Sequence, residues 1–225
     1  MSLILAIETS TACGSVALVK DHKLIAVQFY HIEKSHSTLL HVMIQQMMDN
    51  AQLALKEVDA IAVAEGPGSY TGLRIGVSAA KGLCFSLDIP LISVNSLEGM
   101  AFQVYNYQSE DFLYCPMMDA RRMEVYTLLL NSQFELISPT EPVVLEENYL
   151  EDQLSINKIL FFGDGSDKFK SILEHKHAFF LNNIHPSAGE IGLLGAKKFD
   201  NSNFENVVSF EPFYLKDFRI IPSKK

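Results

Sequence analysis

This 225-residue chain is poor in cysteine, in positive charge and in long apolar runs. Its three cysteines, Cys13, Cys84 and Cys115, include no Cys-x-x-Cys pair, which excludes the common zinc and redox spacings. Lys and Arg number 18 against 27 Asp and Glu, and the formal net charge of −9 argues against unaided binding to a nucleic-acid backbone. No apolar run approaches the ~20 residues of a membrane span, and the first residues are typical of a strand rather than a signal peptide. We therefore expect a cytoplasmic protein without membrane contact.

Catalytic and metal-binding motifs are missing too. The glycine-rich segment 66–72 is followed by Leu-Arg, where a P-loop needs Lys and then Ser or Thr. On a helix that begins at His36, a second metal ligand should stand four residues further on, where the sequence has Leu40. His41 lies one position later and on another side of the helix. No Gly-x-Ser-x-Gly segment is present. The sequence thus predicts no catalytic, cofactor-binding or metal-binding residue.

The predicted secondary structure repeats one order of elements. The first half has strands at 3–7, 15–19 and 24–30, a helix at 36–55 capped by Ser35, a strand at 60–64, a helix ending near 87, a strand at 91–94 and a helix capped by Ser96. The second half has strands at 113–118, 125–130 and 134–138, a helix at 145–154, a strand at 159–162 and a helix after Ser187. Strands alternating with helices predict an α/β fold with two β-β-β-α-β lobes, residues 1–108 and 109–225.

Three polar segments could carry chemistry. Residues 8–11, Glu-Thr-Ser-Thr, follow the first strand and could hold a metal-bound phosphate, or simply end the strand. Residues 66–72 precede a helix and could bind an anion at its N-terminus, or provide the tight turn that glycine permits. Residues 119–124 form a charged turn that could contact a substrate or partner, or pair its own charges. The sequence leaves each pair of alternatives open.

The first two long helices have more apolar surface than one sheet requires. Apolar side chains cover about 180° of the first helix, against the ~100° that packing on a sheet needs, and the surplus is rich in methionine. The second helix has a core stripe and an opposite side of small residues on which another helix could approach. These faces predict either a partner interface or packing within the chain. The candidate interface residues are His36, Leu39, Met43, Met47, Ile75, Ser78, Ala79 and Gly82.

Four segments resemble the TsaB (YeaZ) family. They are Leu-Ala-Ile-Glu-Thr-Ser at 5–10, Gly-Pro-Gly-Ser-Tyr-Thr-Gly-Leu-Arg-Ile-Gly at 66–76, Met-Asp-Ala-Arg-Arg-Met-Glu-Val-Tyr at 118–126 and Glu-Pro-Phe-Tyr-Leu-Lys at 211–216. The resemblance implies the actin, sugar-kinase and chaperone-ATPase (ASKHA) fold. It also implies a role in forming N6-threonylcarbamoyladenosine in tRNAs that read codons beginning with A.

The resemblance also implies partners. Members of this family are shortened relatives of the catalytic subunit TsaD, whose His-x-x-x-His metal motif is broken here at Leu40. A non-catalytic subunit is therefore implied, which pairs with a TsaD-like enzyme through its first two helices and is joined by a TsaE-like ATPase. It implies contact with tRNA only within that complex, and we expect a homodimer when the chain is isolated. The alternative is an ASKHA phosphotransferase using Glu8, Thr9 and Gly68. An ATP or ADP at the subunit interface, and a tRNA contact by the basic residues from Lys216 onward, are left open.

Overall fold

Two mixed sheets of five strands each form the framework of the protein, in a computed structural model that describes residues 2–32, 36–108 and 111–215. The first sheet contains β1 (Leu3–Glu8), β2 (Gly14–Lys20), β3 (Lys23–Tyr30), β4 (Ala60–Gly66) and β5 (Leu91–Asn95). Its strand order is β3-β2-β1-β4-β5, with β1 to β3 antiparallel and β4 and β5 parallel to β1.

The second sheet repeats this topology. It contains β6 (Phe112–Asp119), β7 (Glu124–Leu130), β8 (Leu136–Val144), β9 (Lys158–Phe162) and β10 (Ala178–Leu181). Its order is β8-β7-β6-β9-β10, again with three antiparallel strands followed by two parallel ones. The prediction of two β-β-β-α-β units in an α/β fold is therefore confirmed.

The described residues form six α-helices, which cover the sheets. They are α1 (His36–Ala51), α2 (Tyr70–Leu87), α3 (Ser96–Tyr105), α4 (Glu151–Ile156), α5 (Ser166–Lys170) and α6 (Ala188–Asp200). In β1, Leu3, Leu5 and Ile7 pack under α1 and α2, whereas Ile4 and Ala6 pack under α6 on the other face. This strand is buried on both faces, which explains its nearly continuous apolar sequence.

The helices do not stay with the sheet that precedes them. Helix α3 packs its apolar residues, such as Leu97 and Met100, against the second sheet. Helix α6 returns from the second half and packs Ile191 and Ala196 on the first sheet. The predicted boundary after residue 108 separates the strands of the two sheets, but α6 crosses it. The division into two lobes at that point therefore stays a prediction.

Several predicted boundaries were wrong. Strand β8 continues to Val144, beyond the predicted end at residue 138. The helix predicted at 145–154 is the shorter α4, which begins only at Glu151. The side chain of Asn95, and not that of Ser96, caps α3 by accepting the N–H groups of Leu97 and Glu98. The short elements α5 and β10 were not predicted. Ser35 lies outside the described residues. In the described part of the chain, every helix is too short or too polar to cross a bilayer.

Candidate functional site

Helix α2 lies directly on the turn that follows β1. The hydroxyl of Thr9 donates a hydrogen bond to the carbonyl of Gly72 at 2.8 Å. A Cβ atom at Gly72 would overlap the carbonyl oxygen of Thr9, and one at Gly76 would overlap its hydroxyl. Two of the α2 glycines are therefore required by contact between the helix and this turn. Because that contact buries Thr9, its hydroxyl does not face solvent.

The end of the loop before α2 packs on the same turn. The backbone N–H of Ser69 donates to the carbonyl of Ser10 at 2.6 Å, and a Cβ atom at Gly68 would overlap that carbonyl. Ser69 also caps α2, since its hydroxyl accepts the N–H of Gly72. Polar groups at the N-terminus of α2 and in the β1–β2 turn thus form hydrogen bonds with each other. This favours the structural explanation of the glycines over the phosphate-binding one.

Glu8 ends β1 in a fully buried position. Its Oε1 accepts the backbone N–H of Ser10 at 2.5 Å. Burial raises the pKa of Glu8 to about 6, and polar contacts from Ser10 and Ser96 only partly oppose that shift. Near neutral pH the buried Glu8 carboxylate therefore lowers the stability of the folded state. It lies beside Ser96, the first residue of α3.

We expect Glu8→Gln to stabilise the protein at pH 7 and to be nearly neutral at pH 4.5. The folded-state pKa lies above the ordinary value of 4.5, so stability is fully present below pH 4.5 and is lost as pH rises to about 6. A rise of this size corresponds to roughly 2 kcal/mol. Urea unfolding of both proteins at the two pH values measures it, with Glu174→Gln at an exposed position as the control. An equal effect at both pH values would contradict this assignment.

The two histidines of α1, His36 and His41, lie on different sides of the helix. The Nε2–H of His36 donates to the carbonyl of Thr11 at 2.7 Å, which joins α1 to the β1–β2 turn. Leu40, one turn later, is buried in the core, and His41 is exposed on the other side. Among the residues that the structure describes, no three His, Cys, Asp or Glu side chains are grouped to hold a metal.

Helices α1 and α2 lie side by side on one face of the first sheet, and their outer surfaces face solvent. The eight residues predicted at a partner interface divide into three groups by burial. Ser78 and Gly82 are exposed, whereas His36, Leu39 and Ile75 are half-buried; Met43, Met47 and Ala79 are buried.

The burial of Met43 and Met47 corrects the sequence interpretation. Both side chains pack with Leu5, Ile7 and Val77 in the core between the sheet and the two helices. The methionine-rich side of α1 is therefore internal and cannot touch a partner directly. Its apolar stripe is wide because α1 contacts both the sheet and α2.

The exposed part of the helix pair contains residues that sequence reasoning missed. The side chain of Phe85 is 82% exposed on α2, and Val42 on α1 is 47% exposed. Phe85 follows Ser78 and Gly82 at helical spacing, so that spacing was the signal that could have found it. We call the exposed set Val42, Ser78, Gly82 and Phe85 the outer face.

The C-terminal segment, residues 204–215, runs beside α2. The Nζ of Lys81 donates to the carbonyls of Val208 and Phe210, at 3.0 and 2.8 Å. The Nε of Arg74 donates to the hydroxyl of Tyr214 at 3.1 Å. These hydrogen bonds hold the C-terminal segment along α2, beside the outer face. The basic residues from Lys216 to Lys225 lie outside the described residues.

Comparisons with known proteins agree on one group. A family model described as TsaD, tRNA N6-adenosine threonylcarbamoyltransferase, matches residues 30–218. The tRNA threonylcarbamoyladenosine biosynthesis protein TsaB of Bacillus subtilis is 37% identical over 204 residues, which cover 87% of both chains.

Solved structures extend the comparison to the fold. YeaZ from Pseudomonas aeruginosa superposes with a TM-score of 0.82 at 27% identity, covering 96% of this chain and all of that one. The activator of 2-hydroxyisocaproyl-CoA dehydratase from Clostridium difficile, solved with bound ADPNP, gives a TM-score of 0.52 at 9% identity over 91% of this chain and 98% of that one. The second likeness concerns the fold alone, and it confirms the ASKHA-type architecture.

Proposed function

This chain belongs to the TsaB (YeaZ) family of tRNA threonylcarbamoyladenosine biosynthesis proteins, and we propose that it serves as a non-catalytic subunit that binds a TsaD-like enzyme through its outer face. A TsaE-like ATPase joins that assembly, and tRNA is bound only within it. In isolation, the same outer face pairs two copies of the chain. The family resemblance supports these partners.

The observation that carries the proposal is the exposed glycine in the middle of α2. Glycine in a helix interior costs about 1 kcal/mol relative to alanine. Gly72 and Gly76 are required by contact with Thr9, but a Cβ atom at Gly82 would meet nothing within 4 Å. No neighbour in the described chain explains Gly82. A second helix approaching closely at this point does, and Phe85 beside it provides the large apolar contact that interface cores use.

The same geometry supports a non-catalytic role. The position where a second histidine ligand would stand is the buried Leu40, and His36 is bonded to a backbone carbonyl. The alternative phosphotransferase would use Glu8, Thr9 and Gly68. Thr9 and Gly68 lie where the β1–β2 turn meets the start of α2, and Glu8 is buried beside Ser10 and Ser96. The turn is therefore filled by the protein itself, which argues against this alternative.

Gly82→Glu should weaken binding to a TsaD-like subunit by about 100-fold or more, because the new carboxylate would be buried against the partner helix. The isolated chain should keep its stability, since the position is open and glutamate is a better helix former than glycine. Calorimetric titration of the purified subunits measures the affinity, and thermal unfolding of each variant measures the fold.

Ser78→Glu provides a second substitution on the outer face, and Ser155→Glu on α4 is its control. Both serines are exposed helix residues, so the two changes add the same charge in similar settings. Only the first should weaken subunit binding. Equal affinity of the Gly82, Ser78 and Ser155 variants for the TsaD-like subunit would refute the outer face as the interface.

A further inference from the structure

The charged turn between β6 and β7 lies where ligands bind in open α/β sheets. Strands β6 and β9 are parallel neighbours from which the chain continues in opposite directions across the sheet. Crevices outside the carboxyl ends of such strands are the usual ligand positions. The backbone N–H of Asp119, at the end of β6, donates to Oδ1 of Asp164 in the turn after β9 at 2.9 Å. The turn that follows Asp119 is therefore tied to this edge of the sheet.

Two consecutive arginines in this turn have left-handed backbone conformations. The φ angle is 70° at Arg121 and 48° at Arg122. Residues with a Cβ atom adopt this region at a cost in free energy, and Gly, Asn, Asp and His are the types that adopt it most readily. The β2–β3 turn of the same chain meets the same requirement with Asp21 and His22, at φ 48° and 61°. Arginine at both positions of the β6–β7 turn is thus not explained by turn geometry.

Asp119, the acidic residue that begins this turn, is already paired. The Nζ of Lys168 donates to Oδ1 of Asp119 at 2.7 Å and to the carbonyl of Glu124 at 3.2 Å, so it holds both ends of the turn. Although partial burial opposes it, this pairing, the N–H of Arg121 and the Arg121 charge keep the pKa of Asp119 below its usual value. The exposed guanidinium groups of Arg121 and Arg122 form no hydrogen bond or salt bridge with any described residue.

We propose that Arg121 and Arg122 bind backbone phosphates of RNA, held for that contact by the turn that Lys168 fixes; this rests on the proposed function in tRNA modification. Guanidinium groups bind phosphate through two parallel hydrogen bonds. Both side chains stand on an exposed turn, which suits the surface of a polynucleotide rather than an enclosed small ligand. On a chain of net charge −9, such a contact must be local.

The test measures tRNA binding by fluorescence anisotropy at several KCl concentrations, using the full chain in complex with a TsaD-like subunit. The double variant Arg121→Gln with Arg122→Gln should bind about tenfold more weakly near 0.1 M salt, and the slope of log K against log salt should fall by about 1 to 2. The control is Lys20→Gln with Lys23→Gln at the β2–β3 turn, which removes the same charge from exposed positions. It should bind as the unchanged chain does.

A second variant separates binding from folding. Arg121→Asn with Arg122→Gly suits the left-handed backbone, so it should raise the melting temperature by a few degrees while weakening RNA binding to the same extent. Equal RNA affinity of the arginine variants and the unchanged chain would overturn the proposal, as would an equal loss in the lysine control.

Association with the TsaD-like subunit is measured for every variant before RNA is added. Loss of that association in the arginine variants alone would mean a protein contact, and would also overturn the proposal. If the unchanged chain does not associate, the proposed function fails. In that case, RNA binding by the isolated chain is compared for the same variants at low salt. Weaker binding by the arginine variants alone would support this inference, and equal binding by all variants would overturn it.

Discussion

Replacing Gly72 by alanine is expected to destabilise the protein by about 3 kcal/mol, since the added methyl group would overlap the carbonyl oxygen of Thr9. That oxygen belongs to the backbone of the β1–β2 turn and cannot move aside as a flexible side chain could. The hydrogen bond from the Thr9 hydroxyl to the Gly72 carbonyl would be strained by the same displacement. The helix would have to lift from the end of β1, where Glu8 is buried.

Gly82→Ala is the matched control for this prediction. It makes the same chemical change ten residues further along the same helix, at a position with open space around it. Alanine should there stabilise the protein by about 1 kcal/mol. Urea unfolding of both variants measures the difference. If both substitutions changed stability in the same direction and by the same amount, the contact between α2 and the turn would not be what requires Gly72.

These two glycines lie on one helix in opposite surroundings. The inner side of α2 closes the turn after β1, where residues 8–11 could otherwise have been free to bind phosphate. In the described chain, no contact on the outer face requires a glycine at position 82, and no neighbour covers the side chain of Phe85. A closed turn beside an open helix face is what the proposed role in binding another subunit requires.

Much of the fold could be predicted from the sequence because its strands are strongly patterned. The run Leu-Ile-Leu-Ala-Ile at 3–7 and the apolar segments at 60–64 and 91–94 belong to strands buried on both faces. The order of elements then gave the doubled topology. The short β10 and α5 were missed because their four or five residues are too few to establish a period.

The candidate site was less predictable because burial on a helix depends on how many neighbours it has. The apolar stripe of α1 was wide enough to indicate an external partner, but α2 lies beside α1 and covers the surplus. The role of the glycines in α2 was equally hidden, since sequence alone does not tell which of them faces Thr9. In the sequence, Gly72 and Gly82 are both simply glycines in one helix, but in the structure one is crowded and the other is open.

Introducing a charge at Met47 is expected to unfold the isolated chain rather than to test the interface. The Met47 side chain is buried among apolar residues, and Met47→Asp would place a carboxylate there without a hydrogen-bonding partner. Buried unpaired charge is among the most damaging changes, and we expect a loss of about 4 kcal/mol or more in unfolding free energy. Because a protonated carboxyl is less costly to bury, the loss should be smaller at pH 4 than at pH 7.

Val42→Asp on the same helix is the control, since its position is exposed and belongs to the outer face. It should leave the unfolding free energy within about 0.5 kcal/mol of the unchanged chain and weaken binding to a TsaD-like subunit. Circular dichroism and urea unfolding of both variants compare the two positions directly. A folded Met47→Asp protein that binds the subunit poorly would return Met47 to the interface, whereas an unfolded one would show that Met47 serves the core of the isolated chain.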